Sequence, residues 1–336
     1  MGDILHALPS VTALRQAHPS WVIDWVVEPR WQALLSATGA TERGPAQPVV
    51  DRLHFAATKL WRKAPLSRET LHDLRALRHA LRAGTYDTVL DLQGAIRSSM
   101  VARLTGSRRR IGEAEPREKP ARWLTNEHVA TCGTHVIEQD VELASAIAAD
   151  ELEAVRPDLP VSAEAEAWCD AFFSGSSAPA VLMNPGAGWG AKRWPVERYG
   201  EVARALIAKG CRVLVNVGPG EEALADTIVQ STAGKAEPVA ATLEQLIALA
   251  RRVRLAIAGD TGPLHLACAL GKPVVGIYGP TDPSRNGPYG VPFRVLRSPL
   301  SQRDHRRKPD PEAGLLTIEP EAVMTAAEEL LSQELS

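Results

Sequence analysis

The residues best suited to chemistry in this sequence lie between an apolar strand and a helix, at residues 257–267. Pro263 stands at the favoured first position of a helix, where the N–H groups are unpaired and carry partial positive charge. Gly262 lets the backbone approach a ligand closely, Thr261 adds a hydroxyl donor, and His265 can face the same ligand. The run therefore predicts a phosphate-binding site at a helix N-terminus.

The same run also has a purely structural interpretation. Asp260 would then be an ordinary helix cap, and His265 a satisfied structural residue. The length of the run favours a functional interpretation, as does the loop at residues 279–283 with the sequence Gly-Pro-Thr-Asp-Pro.

Two further turns carry candidate ligand-binding residues. The loop at residues 184–195 is glycine-rich, and Lys192 supplies a mobile charge for a phosphate. This loop is neither a Walker A motif nor a GxGxxG dinucleotide fingerprint. The turn at residues 218–222 offers Glu222, whose carboxylate either binds ribose hydroxyls or favours the start of the next helix.

Short apolar strands alternate with amphipathic helices along the chain, on both sides of a small polar stretch at residues 173–179. This alternation predicts two doubly wound α/β halves with parallel sheets. Ligands bind such sheets at the carboxyl ends of the strands, and a cleft is expected between the halves. The predicted strands are residues 22–27, 88–92, 181–183, 212–217, 255–258 and 273–278. The predicted helices are residues 71–81, 95–104, 196–209, 221–230, 243–251, 263–270 and 319–335.

Bulk composition excludes several classes of protein. The 336 residues suit two domains, and a net charge of −2 gives no global signal for nucleic acid. The four cysteines are scattered without metal-binding spacing, which indicates reduced thiols in a cytosolic protein. The sequence contains no apolar run long enough to span a membrane and no signal peptide.

Three stretches of the sequence together resemble the ADP-heptose:lipopolysaccharide heptosyltransferase family. The match rests on residues 1–6, on residues 185–195 with Lys-Arg-Trp-Pro at the end, and on residues 259–283. Residues 61–63 and 86–94 look most like the type I enzymes, which act on the first inner-core sugar.

The resemblance implies a GT-B fold with two Rossmann-like domains facing a central cleft. Residues 1–160 would bind the acceptor, residues 161–180 would form a helix and linker, and residues 181–318 would bind the nucleotide sugar. Residues 319–336 would form a helix that packs back on the N-terminal domain. The resemblance also implies that the chain transfers heptose from ADP-heptose to Kdo in the inner core of lipopolysaccharide. This transfer would be inverting and metal-independent, and it would need no cofactor.

The resemblance assigns roles residue by residue. Asp3 matches the family's general base, which takes the proton of the acceptor hydroxyl. Lys192 and the helix N-terminus at Gly262 would stabilise the departing diphosphate in place of a metal, and the sequence has no DxD motif. The donor-binding residues would be Lys192, Glu222, Asp260, Thr261, Gly262 and His265.

Basic residues of the N-terminal half are candidates for an anionic acceptor site: Arg62, Lys63, Arg97, Arg117 and His135, with Lys119 and the run at residues 108–110 as additions. A solvated basic face is the simpler explanation for any single one of them. The protein is expected in the cytoplasm, with peripheral contact at the inner membrane. The family also has an apolar strand before the Gly-Asp pair, so the native protein is expected to start upstream of Met1.

Three other functions remain open at this point. The chain is alternatively a GT-B transferase with another nucleotide sugar or a protein acceptor. It is alternatively a nucleotide-binding protein without catalysis. A dinucleotide oxidoreductase is disfavoured because the GxGxxG fingerprint is absent.

Overall fold

A computed structural model describes residues 1–304, 306 and 308–333. The chain divides into two compact units, one formed essentially by residues 3–160 and the other beginning at Val161. The tail of the predicted last helix, residues 334 and 335, lies outside the described residues, as do residues 305, 307 and 336.

The first unit contains helices and short parallel strands. Its elements are α1 (Gly2–Ala17), β1 (Asp24–Val27), β2 (Arg52–Phe55), α2 (Thr58–Lys63), α3 (Arg68–Ala83), β3 (Thr88–Asp91), α4 (Ile96–Leu104), β4 (Arg109–Glu113), β5 (Glu127–Val129) and α5 (Val136–Ala148). The strands and helices predicted within residues 22–104 are confirmed to within a few residues. Helix α3 buries Leu77 and Leu81, which lie one turn apart on its apolar stripe.

The strands of the first unit form two parallel sheets, although one sheet was predicted. Strand β1 pairs with β2, and β3, β4 and β5 pair in that order. Side chains connect the two sheets, since the Tyr86 hydroxyl ahead of β3 donates to Asp24 of β1 at 2.5 Å. His54 of β2 lies 3.3 Å from the same carboxylate. Burial and the neighbouring Asp24 carboxylate raise the pKa of Tyr86, so this hydroxyl remains a donor.

The second unit alternates strand and helix throughout. Its elements are α6 (Ala163–Phe173), β6 (Ala180–Asn184), α7 (Val196–Ala208), β7 (Arg212–Asn216), α8 (Glu222–Ser231), β8 (Glu237–Val239), α9 (Leu243–Arg252), β9 (Leu255–Gly259), α10 (Gly262–Ala269), β10 (Val274–Tyr278), α11 (Pro283–Asn286), β11 (Phe293–Arg297) and α12 (Pro320–Gln333). Each strand and helix predicted here is confirmed within the described residues.

The six strands of the second unit form one parallel sheet in the order β11-β10-β9-β6-β7-β8. From the first strand, β6, the chain builds outward through β7 and β8 and then returns to add β9 to β11 on the other side. Strands β6 and β9 are therefore neighbours at the topological switch point, where loops diverge and ligands bind. The loops that follow these two strands carry Lys192 and Asp260.

Helix α12 completes the core of the second unit. Val323, Ala327 and Leu330 are buried in one cluster with Trp194 and Tyr199 of the α7 region. The helix contacts α7 and strands β9, β10 and β11. The apolar face of α12 is therefore buried in its own unit, and packing of this helix on the N-terminal domain stays a prediction.

A close backbone contact fixes the turn that bears Lys192. A Cβ atom at Gly190 would lie 1.4 Å from the carbonyl oxygen of Pro309, so only glycine fits there. The Ala191 amide donates to Lys308 O at 3.1 Å, and the Glu312 amide donates to Ala191 O at 3.2 Å. The segment at residues 308–312 therefore supports this turn.

We predict that Gly190→Ala lowers the free energy of unfolding by about 1–3 kcal/mol, because the new methyl group overlaps the Pro309 carbonyl. Gly188→Ala is the matched control, because a Cβ there meets nothing within 4 Å. Chemical denaturation of both variants measures the difference. Equal stabilities would contradict the packing of this turn.

Candidate functional site

Three charged or polar side chains meet where β6 and β9 end. The Lys192 ammonium donates to Asp260 Oδ2. His265 Nε2 lies 3.1 Å from the other oxygen of the same carboxylate, Oδ1. The side chains of Lys192, Asp260 and His265 are only 11%, 10% and 6% exposed. The structure thus brings Lys192 to Asp260, which lies 68 positions later in the sequence, and places His265 of α10 beside the same carboxylate.

The carboxylate of Asp260 is held in its ionised form. Burial by itself raises the pKa of Asp260, but the hydrogen bond and charge of His265, together with Lys192, outweigh it and hold the pKa well below its usual value. An ionised Asp260 fixes the ammonium of Lys192 beside the loop. This role differs from the helix-capping alternative, because Thr261 occupies the N-cap position of α10.

The N-terminus of α10 adjoins the three side chains. Thr261 makes no side-chain cap to the helix, and its hydroxyl donates to Gly259 O at 3.2 Å. The first-turn N–H groups, with the partial positive charge of the helix, suit an anionic ligand. Gly262 is the first residue of this helix, one position before Pro263, at which the sequence predicted the helix to begin.

Buried amides fix the carboxyl ends of three adjacent strands. Asn216 of β7 donates to the side-chain oxygen of Asn184 of β6 at 2.7 Å. Asn184 Nδ2 in turn donates to Gly186 O at 2.9 Å and lies 3.5 Å from the hydroxyl of Thr261. Asn184 and Asn216 were not among the site residues predicted from the sequence. Their signal there is an asparagine at the end of an apolar strand.

The two glutamates of the turn at residues 218–222 have different surroundings. The Glu221 carboxylate accepts from the Gly218 amide at 3.2 Å, and a Cβ at Gly186 would lie 1.9 Å from Glu221 Oε1. Glu221 therefore lies against the glycine-rich loop at residues 184–195. Glu222, the predicted ribose ligand, is exposed, and its carboxylate lies 3.3 Å from the Gly220 amide. Glu221 was not among the predicted donor-binding residues, and its only signal in the sequence is the adjacent Glu-Glu pair.

Asp3 lies in the first turn of α1, in the other unit. Its Oδ2 accepts from Gln93 Nε2 at 2.9 Å and lies 3.6 Å from Nη1 of Arg117. The Asp3 side chain is 58% exposed. An exposed carboxylate with one oxygen held by a neutral amide is suited to accept a proton from a bound hydroxyl.

The predicted basic residues are placed differently from one another. Arg117 contacts Asp3, and Arg97 donates to Thr58 at the start of α2 at 3.4 Å, which places α4 beside α2. Arg62 and Lys63 are exposed in the last turn of α2. These contacts put Arg97 close to the helix of Arg62 and Lys63, and Lys119 is also exposed.

Other predicted acceptor residues have structural contacts. His135 is 6% exposed, and its Nδ1 accepts from the Ile137 amide, so it caps α5. Arg109 binds both carboxylate oxygens of Glu127 at 2.7 Å. Arg110 donates to Ser107 O at 2.6 Å. Their side chains are engaged within their own unit, and these contacts explain their presence without an acceptor.

The described part of the chain has neither a metal-binding cluster nor a membrane-spanning helix. Among these residues, no group of three or more His, Cys, Asp or Glu side chains is arranged to hold a metal ion. Within the same residues, no helix has both the length and the hydrophobicity needed to cross a bilayer.

Known proteins resemble the chain over most of its length. Lipopolysaccharide heptosyltransferase 1 of Escherichia coli strain K12 is 31% identical over 303 residues, which cover 89% of this chain and 91% of the relative. Lipopolysaccharide heptosyltransferase 2 of Salmonella typhimurium strain LT2 is 28% identical, with coverages of 99% and 97%.

A solved structure agrees in fold. The structure of E. coli heptosyltransferase WaaC with ADP-2-deoxy-2-fluoro heptose superimposes with a TM-score of 0.77 at 27% identity, and covers 98% of this chain and 96% of that one. The two-domain, Rossmann-like GT-B fold expected from the sequence is thus confirmed. Residues 74–316 match the family model described as glycosyltransferase family 9 (heptosyltransferase). The chain is therefore a glycosyltransferase and belongs to family 9, the heptosyltransferases.

Proposed function

We propose that this chain transfers heptose from ADP-heptose to Kdo in the inner core of lipopolysaccharide, with inversion at the anomeric carbon and without a metal ion. The observation that carries the proposal is the buried Lys192–Asp260–His265 cluster at the N-terminus of α10, located at the switch point of a parallel sheet. A relative solved with an ADP-heptose analogue supports the choice of donor.

The second unit holds the donor in this proposal. The diphosphate binds at Thr261 and Gly262, and the ammonium of Lys192 neutralises the charge that develops as the bond from the anomeric carbon to the diphosphate oxygen breaks. Asp260 and His265 hold Lys192 in place. Glu222 remains the predicted ribose ligand, and Glu221 joins it as a candidate because it lies against Gly186.

The first unit holds the acceptor. The acceptor hydroxyl oxygen forms the new bond to the anomeric carbon, while its proton passes to the Asp3 carboxylate. Arg62, Lys63, Arg97 and Arg117 attract the negative charge of the acceptor. His135, the remaining predicted acceptor residue, caps α5. We propose that it serves the acceptor site by stabilising the fold of this unit.

The relatives support an acceptor in lipopolysaccharide, because the names of both refer to it. The slightly higher identity to heptosyltransferase 1 favours the first heptose transfer over the second. We place the protein in the cytoplasm, at the inner face of the membrane that carries such an acceptor.

We predict that Asp3→Asn lowers transfer by about a hundred- to ten-thousand-fold, the usual contribution of a general base, while ADP affinity stays unchanged. The amide has nearly the same shape but does not accept the proton. Steady-state kinetics and calorimetry measure the two effects. The control is Asp158→Asn, which removes an exposed carboxylate of the same unit. Weakened ADP binding by Asp3→Asn, or near-normal turnover, would argue against the base.

We predict that the double variant Arg62→Met/Lys63→Met raises the acceptor KM about tenfold, the factor that corresponds to about 1.4 kcal/mol, and leaves the donor KM unchanged. The control double variant Arg75→Met/Arg78→Met removes the same charge from exposed positions of α3.

The same assay compares an acceptor that ends in Kdo with one that already carries a heptose, and we expect transfer to the first. An unchanged acceptor KM would remove α2 from the acceptor site. A preference for the heptose-bearing acceptor would assign the second transfer instead.

A further inference from the structure

The side chain of Gln93 is hydrogen-bonded to the carboxylate of Asp3. Gln93 Nε2 donates to Asp3 Oδ2 at 2.9 Å. Gln93 lies two residues after the end of β3, whereas Asp3 lies in the first turn of α1. Ninety positions separate the two residues in the sequence, so the contact arises only in the folded chain.

The loop that carries Gln93 is itself rigidly held. Asp91, which is 5% exposed, accepts from the backbone amides of Gln93 at 3.1 Å and of Gly94 at 3.2 Å through Oδ1. Its other oxygen accepts from the Ser99 hydroxyl at 2.5 Å. A buried carboxylate bound by three donors is a strong constraint on the loop, because charge-assisted hydrogen bonds are about twice as strong as neutral ones.

Gly94 joins this loop to the segment that bears Arg117. Gly94 has φ +59°, and a Cβ there would lie 3.1 Å from the Arg117 amide nitrogen. The Glu118 amide donates to Gly94 O at 2.9 Å, and Glu118 Oε2 accepts from the Ile96 amide at 2.8 Å. The segments that bear Gln93 and Arg117 are therefore fixed to each other by contacts that do not involve Asp3.

The two contacts converge on one oxygen of Asp3. Gln93 and Arg117 both approach Oδ2, and no described residue is found to donate a hydrogen bond to Oδ1. An amide N–H donates but does not accept a proton from a carboxyl group at neutral pH. Gln93 therefore fixes the rotation of the carboxylate and leaves Oδ1 available.

We propose that Gln93 is a positioning residue for the general base, holding Asp3 through Oδ2 so that Oδ1 faces the acceptor hydroxyl. The inference rests on the proposed role of Asp3. It gives a function to the Asp91–Gly94 loop, which lies within the stretch at residues 86–94 that resembles the type I enzymes. Misplacing a catalytic group by about 1 Å is enough to lower turnover by about a hundredfold.

The test uses Gln93→Glu and Gln93→Ala in the full chain. A second carboxylate beside Asp3 disfavours ionisation of the pair, so Gln93→Glu moves the acidic limb of the kcat/KM profile upward by about one pH unit. Among the described residues, the other charged groups near Asp3 are Arg117 and the α-amino group of Met1. The charges of Arg30 and Glu28 also act on that α-amino group. Gln93→Ala lowers kcat about tenfold and leaves the donor KM unchanged.

The control is Gln139→Glu, which adds the same charge in the same unit. Gln139 also donates a side-chain hydrogen bond, to Gly133 O at 2.9 Å, and it is located on α5. We expect its pH profile to match that of the unaltered protein. Thermal unfolding of each variant identifies effects that arise from stability alone.

The outcomes separate the two proposals. Near-normal activity of Asp3→Asn contradicts Asp3 as the base, and the inference fails with it. If Asp3→Asn is inactive but Gln93→Glu keeps the unaltered pH profile, only the inference fails. If the Gln93 variants raise the acceptor KM alone, Gln93 contacts the acceptor and does not position the base.

Discussion

The ion pair between Lys192 and Asp260, with His265 on the other carboxylate oxygen, is the interaction on which the second unit's site depends. Buried charges are stable only when they are paired. The turn that bears Lys192, the loop that bears Asp260 and helix α10, which bears His265, must therefore lie together for this pair to form. Two glycines permit the approach. Gly190 lets the turn that bears Lys192 lie on the Pro309 carbonyl, and Gly259 would carry a Cβ only 3.2 Å from Lys192 O. The backbone of this loop is thus specified as closely as its charges.

Much of the second unit follows from its sequence because its strands are buried on both faces. Strands β6, β9 and β10 are buried at every position and are therefore apolar runs, which end at residues suited to tight turns. In a parallel sheet their carboxyl ends lie on one edge, so loops distant in sequence meet there. That reasoning placed Lys192, Asp260, Thr261 and His265 in one region, and the structure shows the contacts.

The first unit was less predictable because its strands are short and polar. Strand β2 has the sequence Arg-Leu-His-Phe, and β4 begins with Arg109-Arg110, whose side chains bind Glu127 and backbone carbonyls rather than a ligand. The same limit applies to Gln93 and Glu221. Their importance comes from contacts across 90 residues in one case and across two loops in the other, and no local pattern contains such contacts. Helix α12 shows the corresponding limit for packing, since an apolar stripe does not indicate which core it enters.

The proposed function requires that the chain's own cations bind a nucleotide diphosphate. Calorimetric titration with ADP, UDP, GDP and NAD in the presence of EDTA, and again with Mg²⁺, tests it directly on the unaltered protein and on Lys192→Met. Lys209→Met, on an exposed ion pair with Glu328, is the control. We expect selective binding of ADP that does not require Mg²⁺, weakened at least tenfold by Lys192→Met and unchanged by Lys209→Met. Binding that requires Mg²⁺, or equal affinity of the Lys192→Met variant for ADP, would contradict it.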